Sequence, residues 1–352
     1  MDGIIFIFAF ISLSIAGAFL TQAIRSYTIR RSIFDIPNDR SSHTLPTPRG
    51  GGLAIVIITV SSLVAVQAIH PLCTWPCLVT YLTGSVLTAV IGWLDDVHPL
   101  PASLRFCVQA VSASFIISGF GFFKTMVFPI LGQVSFGLIG LPLTFLWIVG
   151  LSNSYNFMDG IDGIAGCQAV MAGLGWAFGG WYLGLPLITI LGTLLAASSA
   201  GFLWHNWPPA SIFMGDVGSV FLGYSFASLA VIGSQKNPSL GLVGILLVWP
   251  FIFDTSLTFF RRLKNGENIF AAHRTHIYQR LVISGHDHRI VTLLYGGLDV
   301  LGIIFSLLIM RKKQWADIML IFLLPLMCLS LWGYTAKREK IHPATLRAMI
   351  PR

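Results

Sequence analysis

Five of the fourteen carboxylates of this 352-residue chain fall in three short clusters. They are Asp95-Asp96; Asp159 and Asp162 within Asn153-Ser-Tyr-Asn156-Phe-Met-Asp159-Gly-Ile-Asp162-Gly163; and Asp216 within Phe213-Met-Gly-Asp-Val-Gly-Ser219. Each cluster ends or interrupts an apolar run. Only 10% of the residues are charged and 55% are hydrophobic, so acid is costly there and a functional role is the expectation. Asn153, Asn156, Asp159 and Asp162 recur every three residues, which makes successive members neighbours on one face of a helical turn, a strip of oxygen ligands. Taken singly, Asp95-Asp96 reads equally well as a solvated pair at a helix end, and Asp216 as part of a glycine-rich turn. Together the clusters offer the hard oxygen donors that suit Mg²⁺ or Mn²⁺ against substrate phosphates. No cysteine or histidine spacing indicates zinc.

The complementary chemistry lies in Arg261-Arg-Leu-Lys264 and His273-Arg-Thr-His276-Ile-Tyr-Gln-Arg280. Arginine matches phosphate oxygens through a planar fork and lysine as a point charge. A positive-inside loop would account for the arginines but not for His273, His276, Tyr278 and Gln279 beside them. His286 and His288 read as a solvated loop end. A third polar segment, Arg30 to Gly52, has an extended path set by its prolines and ends in Pro48-Arg49-Gly-Gly-Gly52, which reads equally as an ordinary turn or as a ligand-facing one.

These loops need elements to hold them. Mean hydropathy is +0.78, and apolar stretches recur at about 3–24, 51–69, 77–94, 104–122, 138–152, 164–182, 185–204, 217–233, 239–259, 290–310 and 316–335. Stretches of that length cross a hydrocarbon core as helices. The expected fold is an all-α integral membrane protein of about eleven transmembrane helices, with residues 1–352 forming one domain. The first stretch lacks a basic flank before it and a small-residue cleavage site after it, so it reads as an anchor rather than a signal peptide. With the amino terminus outside and the carboxyl terminus in the cytoplasm, 17 of 22 basic residues fall on the cytoplasmic side, although Arg311-Lys-Lys313 runs against the rule. All three acidic clusters and the histidine-rich loop then meet one face. The net charge of +8 suits anionic lipids or phosphorylated substrates. It does not point to nucleic acid, since no basic face with interleaved aromatics accompanies it. The five cysteines lie mostly in apolar spans and act as small hydrophobes.

Asp95-Asp96 with Arg105, the Asn153 to Gly163 segment, Phe213 to Ser219 and His273-Arg-Thr-His276 resemble, in order and spacing, the motifs of the polyprenyl-phosphate N-acetylhexosamine-1-phosphate transferase superfamily. The likeness extends over nearly the whole chain. Phospho-MurNAc-pentapeptide translocases of this superfamily carry consecutive histidines where this chain has His273-Arg-Thr-His276, so the chain looks more like the bacterial enzymes that initiate O-antigen on undecaprenyl phosphate.

The resemblance implies attack of a lipid phosphate on the β-phosphate of a UDP-N-acetylamino sugar, giving lipid-diphosphate-sugar and UMP in the bacterial inner membrane. It implies Mg²⁺, with Mn²⁺ as a substitute, on Asp216 and Asn156. Asp95 would deprotonate or position the acceptor, with Asp96 supporting it and Asp159 as a further catalytic acid. Asp162 would contact uracil, and Arg105, His273, Arg274 and His276 the donor diphosphate, with Asn153 in the same substrate-binding set. Asp254 matches a recurring family acid that supports the loop. Relatives suggest a homodimer. The alternatives are a phospho-MurNAc-pentapeptide transferase and, in another class, a secondary transporter; transporters place coupling residues at the midplane, whereas these acids gather at one interface.

Overall fold

The computed structural model describes residues 3–37, 45–268, 273–312 and 314–341. Asp39, Arg40 and His43 of the first polar loop lie outside them. The chain runs α1 (Gly3–Arg30), β1 (Phe34–Asp35), β2 (Thr47–Pro48), α2 (Gly52–Ile69), α3 (Trp75–Val97), α4 (Ala102–Phe120), β3 (Thr125–Phe128), β4 (Gly132–Ser135), α5 (Gly140–Phe157), α6 (Ile164–Tyr182), α7 (Pro186–Asn206) and α8 (Asp216–Ser234). It continues through α9 (Ser239–Leu247), α10 (Trp249–Lys264), α11 (Ile277–Ile283), α12 (His288–Met310) and α13 (Gln314–Ile341). Proline stands in the first turn of α3, α7 and α10, where its missing N–H costs nothing and its fixed φ favours the helix. Two small antiparallel pairs complete the fold, β1 with β2 and the hairpin β3 with β4.

Helix α8 is the axis of the molecule. Every residue from Val217 to Ser234 is buried, enclosed by α2, α3, α5 and α9, while α1 and α13 lie at the rim with large apolar side chains such as Phe19 and Phe322 exposed. Gly52 of α2 meets the backbone of Gly218 so closely that a Cβ there would overlap it. Such close backbone approach supplies the van der Waals contact that holds helices together in lipid, where burial alone gives little.

Nine helices of the described residues are long and apolar enough to cross a membrane, ten if α9 and α10 form one span. Of the eleven expected spans, two fall outside this set of nine, for different reasons. Helix α6 follows its expected bounds, but Gln168 and five glycines leave it less apolar than a lipid-facing span; it is packed within the bundle, mainly on α7 and α12. The ninth stretch is not one rod. It bends by 74° between α9 and α10, and the carbonyl freed at Leu247 accepts a hydrogen bond from Gln168 Nε2 at 2.8 Å. A polar residue that lowers the hydropathy of one span thus satisfies the break in another.

Candidate active site

Polar loops converge at one end of the bundle. Pro48 to Gly52 is stitched to the segment entering α8: Phe213 N donates to Pro48 O at 2.8 Å, Gly51 N to Phe213 O at 2.9 Å and Gly52 N to Met214 O at 2.9 Å. This pairing carries Arg49 to the N-terminus of α8. The end of α3 meets the same point. Asp96 accepts Asp216 N on Oδ1 at 2.8 Å and Val217 N on Oδ2 at 3.1 Å, so it caps α8 from another helix. Gly215, with φ of +78°, makes the turn in a left-handed conformation, and a Cβ there would run into the Asp96 carboxylate.

The carboxylates and guanidiniums interlock. Arg49 Nε lies 2.6 Å from Asp96 Oδ1, and its Nη2 lies 3.0 Å from Asp216 Oδ1. Arg105 Nη1 bridges Asp95 Oδ2 at 2.9 Å and Asp216 Oδ2 at 3.2 Å. Asp95 Oδ1 accepts Leu100 N at 2.7 Å, which fixes its orientation. Asp95, Asp96 and Asp216 against Arg49 and Arg105 leave one negative charge when all are ionised. Burial works against the charge of Arg49, but Asp96 and Asp216 more than offset it and hold its pKa above the ordinary value.

The end of α5 adds the amides. Asn156 Nδ2 donates to Ser219 Oγ at 2.9 Å, which seats this side chain one turn into α8 beside Asp216. Asn153 is turned elsewhere: its amide exchanges hydrogen bonds with Gln109 of α4, at 2.6 and 3.4 Å, so here it packs helix on helix. Asp159 follows on the turn. Burial first, then the charges of Asp216 and Asp96, push its carboxyl well above the usual carboxylate range. Asp162 accepts Ala210 N on Oδ2 at 3.0 Å, with His288 Nδ1 3.5 Å from the same oxygen. The octet from Asn153 to Gly160 therefore spans three jobs: helix packing, the α8 terminus and a half-buried acid.

The basic loop is held by a second capping acid. Asp254 of α10 accepts Ile277 N at 2.8 Å and Tyr278 N at 3.0 Å, capping α11 as Asp96 caps α8. It also accepts Tyr295 Oη at 2.6 Å and lies 3.2 Å from His276 Nδ1. His276 is buried against it. Tyr278 Oη donates to Phe157 O at 2.9 Å, which ties α11 to the Asp159 turn. His273 is set by Thr275 Oγ1 at 3.0 Å, and burial first, then His276, Arg262 and Arg261, lower its pKa to about 4. Arg274 beside it is half-buried, and that burial lowers its pKa.

The sequence leaves Pro48 to Gly52 equally an ordinary turn or a ligand-facing one and reads His288 as a solvated loop end; the structure puts Arg49 in the carboxylate cluster and His288 beside Asp162. The only signal for Arg49 was its place before three glycines. Among the described residues no three His, Cys, Asp or Glu side chains form a ready metal cage. Mg²⁺ commonly binds through one or two carboxylates and substrate phosphates, a mode that suits the Asp216 carboxylate as a hard oxygen donor, with both its oxygens paired to guanidiniums here.

Carboxylates interlocked with guanidiniums at one end of an apolar helix bundle are the groups that a phosphate-handling membrane enzyme needs. The sequence matches glycosyl transferase family 4 over residues 78–234. It is 34% identical to the probable undecaprenyl-phosphate N-acetylglucosaminyl 1-phosphate transferase of Bacillus subtilis, over 90% of this chain and 88% of that one. It is 30% identical to the decaprenyl-phosphate N-acetylglucosaminephosphotransferase of Mycolicibacterium smegmatis, over 78% and 75%. The phospho-N-acetylmuramoyl-pentapeptide-transferase of Chlamydia trachomatis is 34% identical over 57% of this chain and 65% of its own. The chain belongs to the polyprenyl-phosphate N-acetylhexosamine-1-phosphate transferase superfamily.

Proposed function

We propose that the protein transfers N-acetylglucosamine 1-phosphate from UDP-N-acetylglucosamine to undecaprenyl phosphate, releasing UMP and starting an O-antigen or related cell-envelope polysaccharide. The observation that carries this is the convergence of Asp95, Asp96 and Asp216 with Arg49 and Arg105 at the end of the bundle where Asp159 and Asp162 also lie. The sugar follows the two relatives that match over most of both chains. The muramoyl-pentapeptide relative matches over a smaller share.

Both substrates are anionic, so the site's task is to place them together against their repulsion. Asp216 and Asn156 would hold Mg²⁺ or Mn²⁺, which neutralises phosphate charge and orients the donor. Arg105 and Arg274 serve the donor phosphates and Asp162 the nucleobase side. Asp95 positions the acceptor phosphate; the second pKa of a phosphate is near 6, so a strong base is unnecessary at neutral pH. Asp96 acts through Asp216 by fixing the start of α8. The 17-to-5 division of basic residues supports a cytoplasmic site in the bacterial cytoplasmic membrane, with the chain crossing eleven times, the α9–α10 pair and α6 included.

The test incubates purified protein with radiolabelled UDP-N-acetylglucosamine, undecaprenyl phosphate and Mg²⁺. Lipid-linked label with equimolar UMP is expected. Label transfer only from UDP-MurNAc-pentapeptide would move the chain to the peptidoglycan branch. No UMP from any donor would refute the proposal.

A further inference from the structure

Arg49 stands in the Pro48 to Gly52 segment, which the sequence alone leaves between an ordinary turn and a ligand-facing one; among the described residues it is the one cation paired with both the acid capping α8 and the first acid of α8. Its fork is divided: Nε is given to Asp96 Oδ1 at 2.6 Å, and Nη2 to Asp216 Oδ1 at 3.0 Å. The side chain is one-quarter exposed, whereas that of Asp96 is fully enclosed. The backbone on either side of Arg49 is held by three hydrogen bonds to Phe213 and Met214, which anchor the residue beside the α8 terminus. Arg105 covers the other oxygen of Asp216 at 3.2 Å. Both oxygens of the candidate metal ligand thus face resident cations.

We propose that Arg49 is the resident counter-ion of Asp216. A divalent cation taking Asp216 Oδ1 would be brought against the Nη2 end of Arg49, and like charges sharing one oxygen repel. The Nη2 contact is the exchangeable one, while the shorter Nε contact, made to a fully enclosed Asp96, keeps the side chain tethered. Arg49 therefore holds the acid cluster together before the cation arrives and weakens cation affinity by doing so. After exchange its freed Nη2 stays at the rim, placed to meet phosphate oxygens. This makes Arg49 a positioning residue whose loss has opposite effects on cation binding and turnover. The inference rests on the assignment of Asp216 as the cation ligand.

The test measures Mn²⁺ binding by electron paramagnetic resonance on the detergent-solubilised full chain, alongside transfer activity. Arg49→Gln is expected to lower the Mn²⁺ dissociation constant at least tenfold while reducing turnover at least tenfold. Should Arg49→Gln fail to fold because Asp96 is left buried without its partner, Arg49→Lys keeps a charge beside Asp96 but cannot bridge to Asp216. It should tighten Mn²⁺ binding about threefold or more and also lose turnover. Unchanged, weakened or absent Mn²⁺ binding in the folded Arg49 variants overturns the proposal, since a purely structural role would weaken binding and turnover together. Asp216→Asn in the Arg49→Gln background should abolish Mn²⁺ binding; its failure to do so overturns instead the assignment of Asp216 beneath the proposal.

Discussion

Replacing Asp254 by asparagine gives the sharpest test of how the basic loop is held. The carboxylate accepts from Ile277 N, Thr258 Oγ1 and His276 Nδ1 on Oδ1, and from Tyr278 N and Tyr295 Oη on Oδ2. Asparagine offers one acceptor oxygen, and its NH₂ must face one of these groups of donors. At least one backbone N–H, of Ile277 or Tyr278, is then orphaned in a buried site at about 1–3 kcal/mol, and the side-chain partners on that oxygen must turn from donors to acceptors, so a loss of about 2–4 kcal/mol is expected. Tyr295→Phe removes a single donor and should cost nearer 1 kcal/mol. The effect should also reach the active site. Tyr278 is capped by Asp254 through its N–H and holds Phe157 O through its hydroxyl, so the Asp159 turn loosens when α11 does. The assay pairs thermal unfolding in detergent with kinetics. Asp254→Asn should lower the melting temperature by several degrees and raise KM for the UDP-sugar about tenfold or more, with Tyr295→Phe intermediate. A stable Asp254→Asn variant with an unchanged KM would refute the coupling of α11 to the turn.

Asp216→Asn should reduce turnover by about a hundredfold or more without loss of expression, as removing a charged group from a phosphoryl-transfer site does, and near-normal turnover with EDTA present would remove the cation from the mechanism. Tyr278→Phe should weaken donor binding with little change in turnover, read as a KM shift at constant kcat. His273 has a folded pKa of about 4, below its ordinary value near 6.5; its contribution to stability is therefore present above about pH 6.5 and lost as pH falls toward 4. His273→Gln should flatten melting temperature against pH across that window, and an identical slope would count against the burial of that imidazole. Cysteine placed at Asn265 should label from the cytoplasmic side and one at Gln133 in the β3–β4 hairpin from the other; the reverse pattern would invert the orientation.

Helix positions were readable because apolar runs of about twenty residues are themselves the physical requirement for spanning. The break after Leu247 was signalled only by Pro250, which opens α10, and the carbonyl it frees is satisfied by Gln168, 79 positions away in sequence. The acids were conspicuous because charge is costly among apolar residues, but their division of labour depended on partners. Asn153 and Asn156 look alike in the three-residue rhythm; one meets Gln109 and the other Ser219, a difference set by how α4 and α8 pack around α5. Arg49 was hidden for the same reason, because its neighbours come from residues 96 and 213–216, brought beside it only by the fold. Asp254 drew notice through family likeness alone; its job as a cap emerges from the N–H groups of α11.

The enclosure of α8 has a consequence for sequence variation. A helix with no lipid-facing side has no position at which a larger side chain can be turned outward, so enlarging substitutions from Val217 to Ser234 should be rejected almost uniformly in a saturation library. The rim helices α1 and α13 should accept most apolar exchanges. Asp216 thus begins the segment with the least freedom to change, and alterations of substrate preference should arise in the loops around it while α8 itself stays nearly fixed.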